Sequence, residues 1–181
     1  MQLFPAHADT IFRIALASFA GLGILVPVLL LAGERSPVFA QTKDERDQPV
    51  KFDHRHHARD DGIACLYCHD GARRDRWAGV PDAATCMGCH DQIWTDSPEV
   101  RPVREAVANE KPLVWSRIHD VPDHVFFHHG VHVRSGVRCE ECHGRVDLMP
   151  AVYAKEAMTM SWCLDCHRQR AAPTNCTTCH R

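Results

Sequence analysis

Cys139-Glu140-Glu141-Cys142-His143 places two thiols three residues apart, with a histidine directly after the second. Thiols at this spacing can form thioethers to the two vinyl groups of one haem, and the adjacent histidine then becomes the proximal iron ligand. The same C-x-x-C-H pattern recurs at Cys65/Cys68/His69, Cys86/Cys89/His90, Cys163/Cys166/His167 and Cys176/Cys179/His180. One such motif alone could be half a zinc site or a redox pair. Here the five motifs consume all ten cysteines of the chain. That leaves little room for zinc, for structural disulfides or for a thiol nucleophile, and points to five covalently attached haem c groups.

A low-spin electron-transfer haem needs a second axial ligand, usually His or Met. Two segments offer candidates in register. Residues 52–71 read FDHRHHARDDGIACLYCHDG and residues 127–144 read FHHGVHVRSGVRCEECHG. Both carry F-x-H-x-x-H, then Gly-Ile or Gly-Val, then C-x-x-C-H, so the chain contains an internal repeat. The recurring histidines are His54, His57, His129 and His132, each pair spaced to share one side of a helical turn. One member of a pair can serve the haem of its own unit while the other reaches a neighbour. His56 and His128 do not recur in register and read as spare. For the fifth haem His119 is the first choice, with His124, Met149, Met158 and Met160 as rivals. A Met ligand would raise the potential relative to a bis-His iron.

The elements that must position these groups are sparse. Residues 42–181 provide only 28 residues per motif. Such a polypeptide buries little apolar side chain by itself, so the porphyrins should form the core and the apoprotein should be unfolded. The expected fold is a multihaem cytochrome c with little regular secondary structure, short α-helices wrapped around five haems, and one N-terminal transmembrane helix. Ile14 to Gly33 is a 20-residue run without a charge, long enough to span a hydrocarbon core of about 30 Å. Gly21, Gly23 and Pro27 could kink that helix or let another pack closely. A cleaved signal peptide ending at Val38-Phe39-Ala40 is the rival reading. The run exceeds the usual signal core of about 7–15 residues, which favours a retained anchor. Residues 1–13 are then a short cytoplasmic N-terminus, 34–50 a polar linker and 51–181 the pentahaem domain. Ser97-Pro98 can cap a helix over 99–109 that Pro112 ends. Arginine outnumbers lysine 17 to 4. Arg73, Arg74 and Arg76 are candidates for haem propionates, with a solvated charged loop as the plain alternative. A net charge of −2 gives no basic field for nucleic acid.

On these residues the chain resembles the cytochrome c3/c7-like multihaem family, whose His pair before the first site matches PVKFDHRHH…GIACLYCH. The longer run WSRIHDVPDHVFFHHGVHVRSGVRCEECHGRVDLMPAVYAKEAMTMSWCLDCHR is similar to the pentahaem, membrane-anchored cytochrome subunit of bacterial alternative complex III. The resemblance spans 48–181. It departs at His128, where relatives often carry Asn, and at His124, where they usually carry an aromatic residue. It implies a subunit taking electrons from the quinol-oxidising part of a membrane complex and passing them to a monohaem cytochrome subunit, a soluble carrier or an oxidase. The implied partners include an iron–sulfur subunit and polytopic quinone-binding subunits. Because haem c is attached on the outer side of the bacterial cytoplasmic membrane, the haem domain is expected on the periplasmic face of a single-pass protein.

Other function classes require features that can be weighed. A multihaem reductase needs one iron with an open face, yet nine histidines outside the motifs serve five irons. A quinol dehydrogenase acting by itself would need a quinone site beside a single span. A scaffold role fits poorly with five haems filling most of the fold.

Overall fold

The computed structural model describes residues 7–34 and 42–181, in two separate units, 1–41 and 42–181. In the first unit, α1 runs from Ala8 to Glu34. It begins six residues before the uncharged run, because Asp9 and Arg13 pair at 2.9 Å across one turn. Asp9 also sits favourably at the positive end of the helix dipole. The apolar part, Ala8–Gly33, is 26 residues long, about 39 Å at the helical rise. It is therefore long and apolar enough to cross a membrane, and Phe12, Phe19, Ile24 and Leu30 project from it without cover. Pro27 lies inside the helix. Gly21 and Gly23 have nothing within 4 Å of where a Cβ would stand. The Val38-Phe39-Ala40 cleavage site lies outside the described residues.

In the second unit the described residues form no strand. Seven short α-helices are joined by turns: α2 Cys65–Cys68, α3 Ala83–His90, α4 Arg101–Ala108, α5 His129–Arg134, α6 Cys139–His143, α7 Met160–Gln169 and α8 Cys176–Cys179. A π-type turn, Arg55–Asp60, and 3-10 turns at Asp70–Arg73 and Val146–Leu148 complete the set. Helices this short have little stability of their own and depend on what they pack against.

Side chains supply only a small part of that packing. The buried apolar residues of this unit are Val50, Ala72, Val100, Val103, Ala106, Met149 and Ala154. Val50, Val100 and Val103 form one cluster with Ala83, Cys86, Met87, Leu113 and Trp115, which seats α4 on α3. Tyr67, Trp77, Val80, Ile93, Trp94 and Val131 stand exposed on or near the motif-bearing elements. A unit that leaves so many large apolar groups uncovered is shaped around something besides its own side chains.

Two boundaries differ from the sequence reading. Residues 42–50 belong to the second unit and pack within it. Ser116 N donates to Gln48 Oε1 at 2.9 Å, Gln48 Nε2 donates to Ser116 O at 3.0 Å, and Lys43 N donates to Ala154 O at 2.8 Å. Val50 completes the apolar cluster. Helix α4 starts at Arg101, two residues later than expected, since Ser97 O accepts from Val100 N and Arg101 N in a preceding turn. It ends before Pro112: Glu110 turns left-handed at φ 53° and Lys111 N returns to Ala106 O at 2.9 Å.

Candidate haem sites

Each C-x-x-C-H motif lies on a turn of helix. That geometry puts both sulfurs on one side, three residues apart, with the histidine one step further round. His69 N donates to Cys65 O and His180 N to Cys176 O, both at 2.9 Å. Four of the five turns are closed at their start by a side-chain acceptor. Asp82 accepts from Thr85 N (2.8 Å), Thr159 from Trp162 N (3.3 Å), Asn175 from Thr178 N (3.0 Å) and Glu141 from Arg138 N (2.9 Å). Such caps satisfy amide donors that a helix start leaves unpaired. None of the ten cysteines is paired in a disulfide, and none is fully buried.

Cys89 is exposed, as are Cys65, Cys139 and Cys176. The reason at Cys89 is local. Its carbonyl accepts from Gln92 N at 2.9 Å and from Ile93 N at 3.0 Å, so the chain turns back directly after the motif. The turn brings no cover, because Ile93 and Trp94 are themselves exposed. Cys86, one helical turn before Cys89, differs in packing against the Val50 cluster. The second motif therefore has one thiol on the apolar cluster and one on the surface. Its two sulfurs keep the three-residue spacing on α3 that one haem requires.

Burial raises the thiols of Cys86, Cys139, Cys142 and Cys163, and thiols of neighbouring motifs raise them further. Cys86 feels Cys68, Cys139 feels Cys65, and Cys163 feels Cys179. Cys142 is pushed up to about 11, with Cys166 and Cys163 among its neighbours. These proximities run through space as second, first, third, fourth and fifth motif, an order that the linear chain does not have.

The recurring histidines face motif histidines. The ring centroids of His57 and His90 are 6.0 Å apart, those of His132 and His167 6.1 Å, and those of His129 and His143 6.3 Å, the last pair nearly parallel at 7°. His54 lies in the field of His69, and burial lowers its pKa to about 4. His143 is likewise lowered to about 4 by burial, with His119, His129 and His69 as charged-state neighbours. Both rings therefore stay neutral, the form that binds metal.

Six of these rings are held in a common way, while His54 Nδ1 is buried without a hydrogen-bond partner. Nδ1 donates to a backbone carbonyl in His57 (Asp53 O, 3.3 Å), His69 (Gly79 O, 2.7 Å), His90 (Ile93 O, 3.2 Å), His129 (Arg76 O, 2.8 Å), His132 (His128 O, 3.0 Å) and His167 (Pro173 O, 2.6 Å). A proton fixed on Nδ1 leaves the Nε2 lone pair for a metal. Two imidazoles on opposite sides of one iron, with bonds of about 2 Å, have centroids about 6 Å apart. The three separations fit that requirement. Rings facing in pairs at this spacing suit a planar cofactor with two axial ligands. The sites fit haem c.

Residues 125–181 match the family described as cytochrome c7 and related cytochrome c, and residues 33–114 match the class III cytochrome c family. The chain is also similar to the "Menaquinone reductase, multiheme cytochrome c subunit" of Nitratidesulfovibrio vulgaris (strain Hildenborough). The two are 32% identical over 164 residues, which covers 76% of this chain and 78% of that protein. The chain belongs to the c3/c7-like multihaem cytochromes c. Covalently bound c-type haem and electron transport come with that membership.

Within this cytochrome the sequence reading gave no role to the phenylalanines of the repeat. Phe52 stacks on His57 (4.4 Å, 27°) and meets His54 edge-on (4.7 Å, 85°). Phe127 does the same to His132 (4.6 Å, 27°) and His129 (4.8 Å, 87°). One aromatic ring thus sets the angle of both histidines in each copy, and its recurrence in F-x-H-x-x-H was the available signal. The spare histidines lie differently. His56 is exposed between Asp53 (3.9 Å) and Asp60 (3.5 Å), while His128 has a buried Nδ1 without a partner.

The arginines after the first motif are tied into the protein. Arg76 Nη2 donates to Val125 O at 3.1 Å, and its guanidinium lies over Trp77 (5.4 Å) and Phe126 (5.0 Å). Arg74 reaches Asp70 at 3.4 Å, and Arg73 O accepts from Arg134 Nη1 at 3.0 Å. These contacts help dock the two repeats: α5 packs on the 70–73 turn, where Gly130 N donates to Asp75 O at 3.1 Å. A Cβ on Gly130 would stand 2.9 Å from Arg74 C and 3.0 Å from Arg73 O. Gly130→Ala is therefore expected to push α5 off the turn and cost about 1–3 kcal/mol. Denaturant melting of the haem-loaded protein measures that cost. A stability within about 0.5 kcal/mol of the parent, the level of an unimportant surface change, would refute the tight approach.

Proposed function

We propose that this cytochrome is the electron-transfer subunit of a membrane quinone–quinol oxidoreductase, with five haem c groups as its working parts. Haem iron, when bound, supplies reversible one-electron transfer. The chain's own residues would bind and tune it. Cys65/Cys68, Cys86/Cys89, Cys139/Cys142, Cys163/Cys166 and Cys176/Cys179 carry the thioethers. His69, His90, His143, His167 and His180 would be the proximal ligands, and His54, His57, His129 and His132 would supply four of the distal ones. The observation that carries the reading is the pairing of rings at about 6 Å. An iron closed on both faces exchanges electrons without binding substrate, which disfavours a reductase with an open haem.

The partners and the direction follow from the resemblance to alternative complex III. Electrons would come from quinol oxidation in polytopic subunits, with an iron–sulfur subunit alongside, and leave to a monohaem cytochrome, a soluble carrier or an oxidase. Helix α1 would anchor the chain in the bacterial cytoplasmic membrane by a single pass, with the haem unit on the periplasmic side. The relative's name, a menaquinone reductase subunit, favours a second reading in which electrons run the other way, into menaquinone.

The test is rapid mixing of the detergent-solubilised native complex. On the first reading, menaquinol reduces the haems of this subunit within the turnover time, without any soluble donor. If the haems are reduced only by a soluble donor and reoxidised by menaquinone, the second reading holds. If neither quinone form exchanges electrons with them, both fail.

A further inference from the structure

We propose that His124 and His180 flank the iron of the fifth site, and that His119 packs beside the third site without ligating. This deepens the haem reading above and rests on it. The His124 and His180 rings lie 5.6 Å apart and 19° from parallel, close to the spacing of the other facing pairs. His180 Nδ1 lies 3.3 Å from His124 O and can donate to it, which leaves its Nε2 for metal, as in His69, His90 and His167. The chain on either side holds the two segments together. Phe126 N donates to Cys179 O at 2.6 Å, and the Arg181 guanidinium sits 4.5 Å over the Phe126 ring. Residues 124–126 therefore run along α8, beside the last motif. Both histidines are exposed, as suits a site at the end of the spatial row.

His119 is placed elsewhere. Its ring meets His143 edge-on at 4.4 Å and 89°. That separation is too short for an iron between the two rings, given bonds of about 2 Å on each side. His129 already faces His143 at 6.3 Å in a parallel arrangement. His119 Nε2 is buried without a hydrogen-bond partner. A neutral ring pressed on the edge of a ligand ring limits that ring's rotation, so His119 is a positioning residue for His143. Of the methionine rivals, Met149 is buried after the 146–148 turn, and Met160 is 67% exposed at the start of α7.

The experiment uses full-length, haem-loaded protein, with covalent haem counted by mass. His124→Ala is expected to open one iron per chain, which takes up one equivalent of carbon monoxide when reduced and closes again when imidazole is added. His124→Met is expected to give a Met–iron charge-transfer band and to move one redox transition upward. His119→Ala should leave carbon monoxide binding where it was in the parent. The assignment is overturned if His119→Ala opens the iron, or if both His124 variants keep the parent's carbon monoxide uptake and redox transitions. A parent protein lacking haem on Cys176 and Cys179 would instead defeat the five-haem reading, and this assignment with it.

Discussion

Expressed without haem attachment, residues 42–181 will not fold. Far-ultraviolet circular dichroism should show a mostly disordered chain with no cooperative thermal transition, and the haem-loaded protein should show both helix and cooperativity. The effect is expected to be all-or-none because the side-chain core is so small. Seven apolar residues are buried in the unit, and three of those are alanines. Helices α2 and α8 are four residues long, far below the length at which a helix stands by itself. Tyr67, Trp77, Ile93 and Trp94 are left exposed by the side chains of the unit. Binding that occurs only in the folded form then supplies the folding free energy, as in small metal-dependent domains. A cooperative melt of the haem-free chain would show that the polypeptide has a sufficient core of its own.

Replacing His132 by alanine should open one iron and leave its neighbour closed. His129 and His132 lie on the same short helix, α5, yet they face different motifs: His143 at 6.3 Å and His167 at 6.1 Å. The helix therefore acts as a shared strut between the third and fourth sites. On the proposed ligand set, loss of the His132 ring would remove the distal ligand of the fourth iron, while the Arg76 O contact of His129 at 2.8 Å is untouched. The reduced variant is expected to bind one equivalent of carbon monoxide per chain, where the parent binds none. The remaining low-spin signals should keep their positions, because Phe127 still buttresses His129. Two opened irons would mean that α5 does not hold its two histidines independently. No opened iron would remove His132 from the ligand set. His57→Ala, which faces His90 at 6.0 Å, is the matching experiment in the first repeat.

The local chemistry of this protein was legible in one dimension because it is local. Two thiols and a histidine at C-x-x-C-H spacing lie on one helical turn wherever they occur, so each motif could be read without knowing the fold. The apolar run before Glu34 was equally legible, since crossing a membrane depends on length and composition. Limits of such elements were less so. Charge pairing between Asp9 and Arg13 extended α1, and hydrogen bonds from 43–48 to 116 and 154 drew the supposed linker onto the haem unit. Exposure was not legible either: Cys86 and Cys89 share one motif, yet only Cys86 meets the Val50 cluster.

Contacts between distant residues were decided only by the tertiary structure. The order of motifs in space, with the first next to both the second and the third, comes from docking α5 on the 70–73 turn across some 55 residues of chain. Spacing alone could not choose between His119 and His124, because both precede the second repeat by a few residues. What separates them is the path of the chain after Pro122, which lays His124 against His180 and leaves His119 on the edge of His143. Sequence determined which groups can bind haem, since that is a property of residue type and short-range spacing. Three-dimensional packing decided which groups face one another, since that depends on where the chain returns.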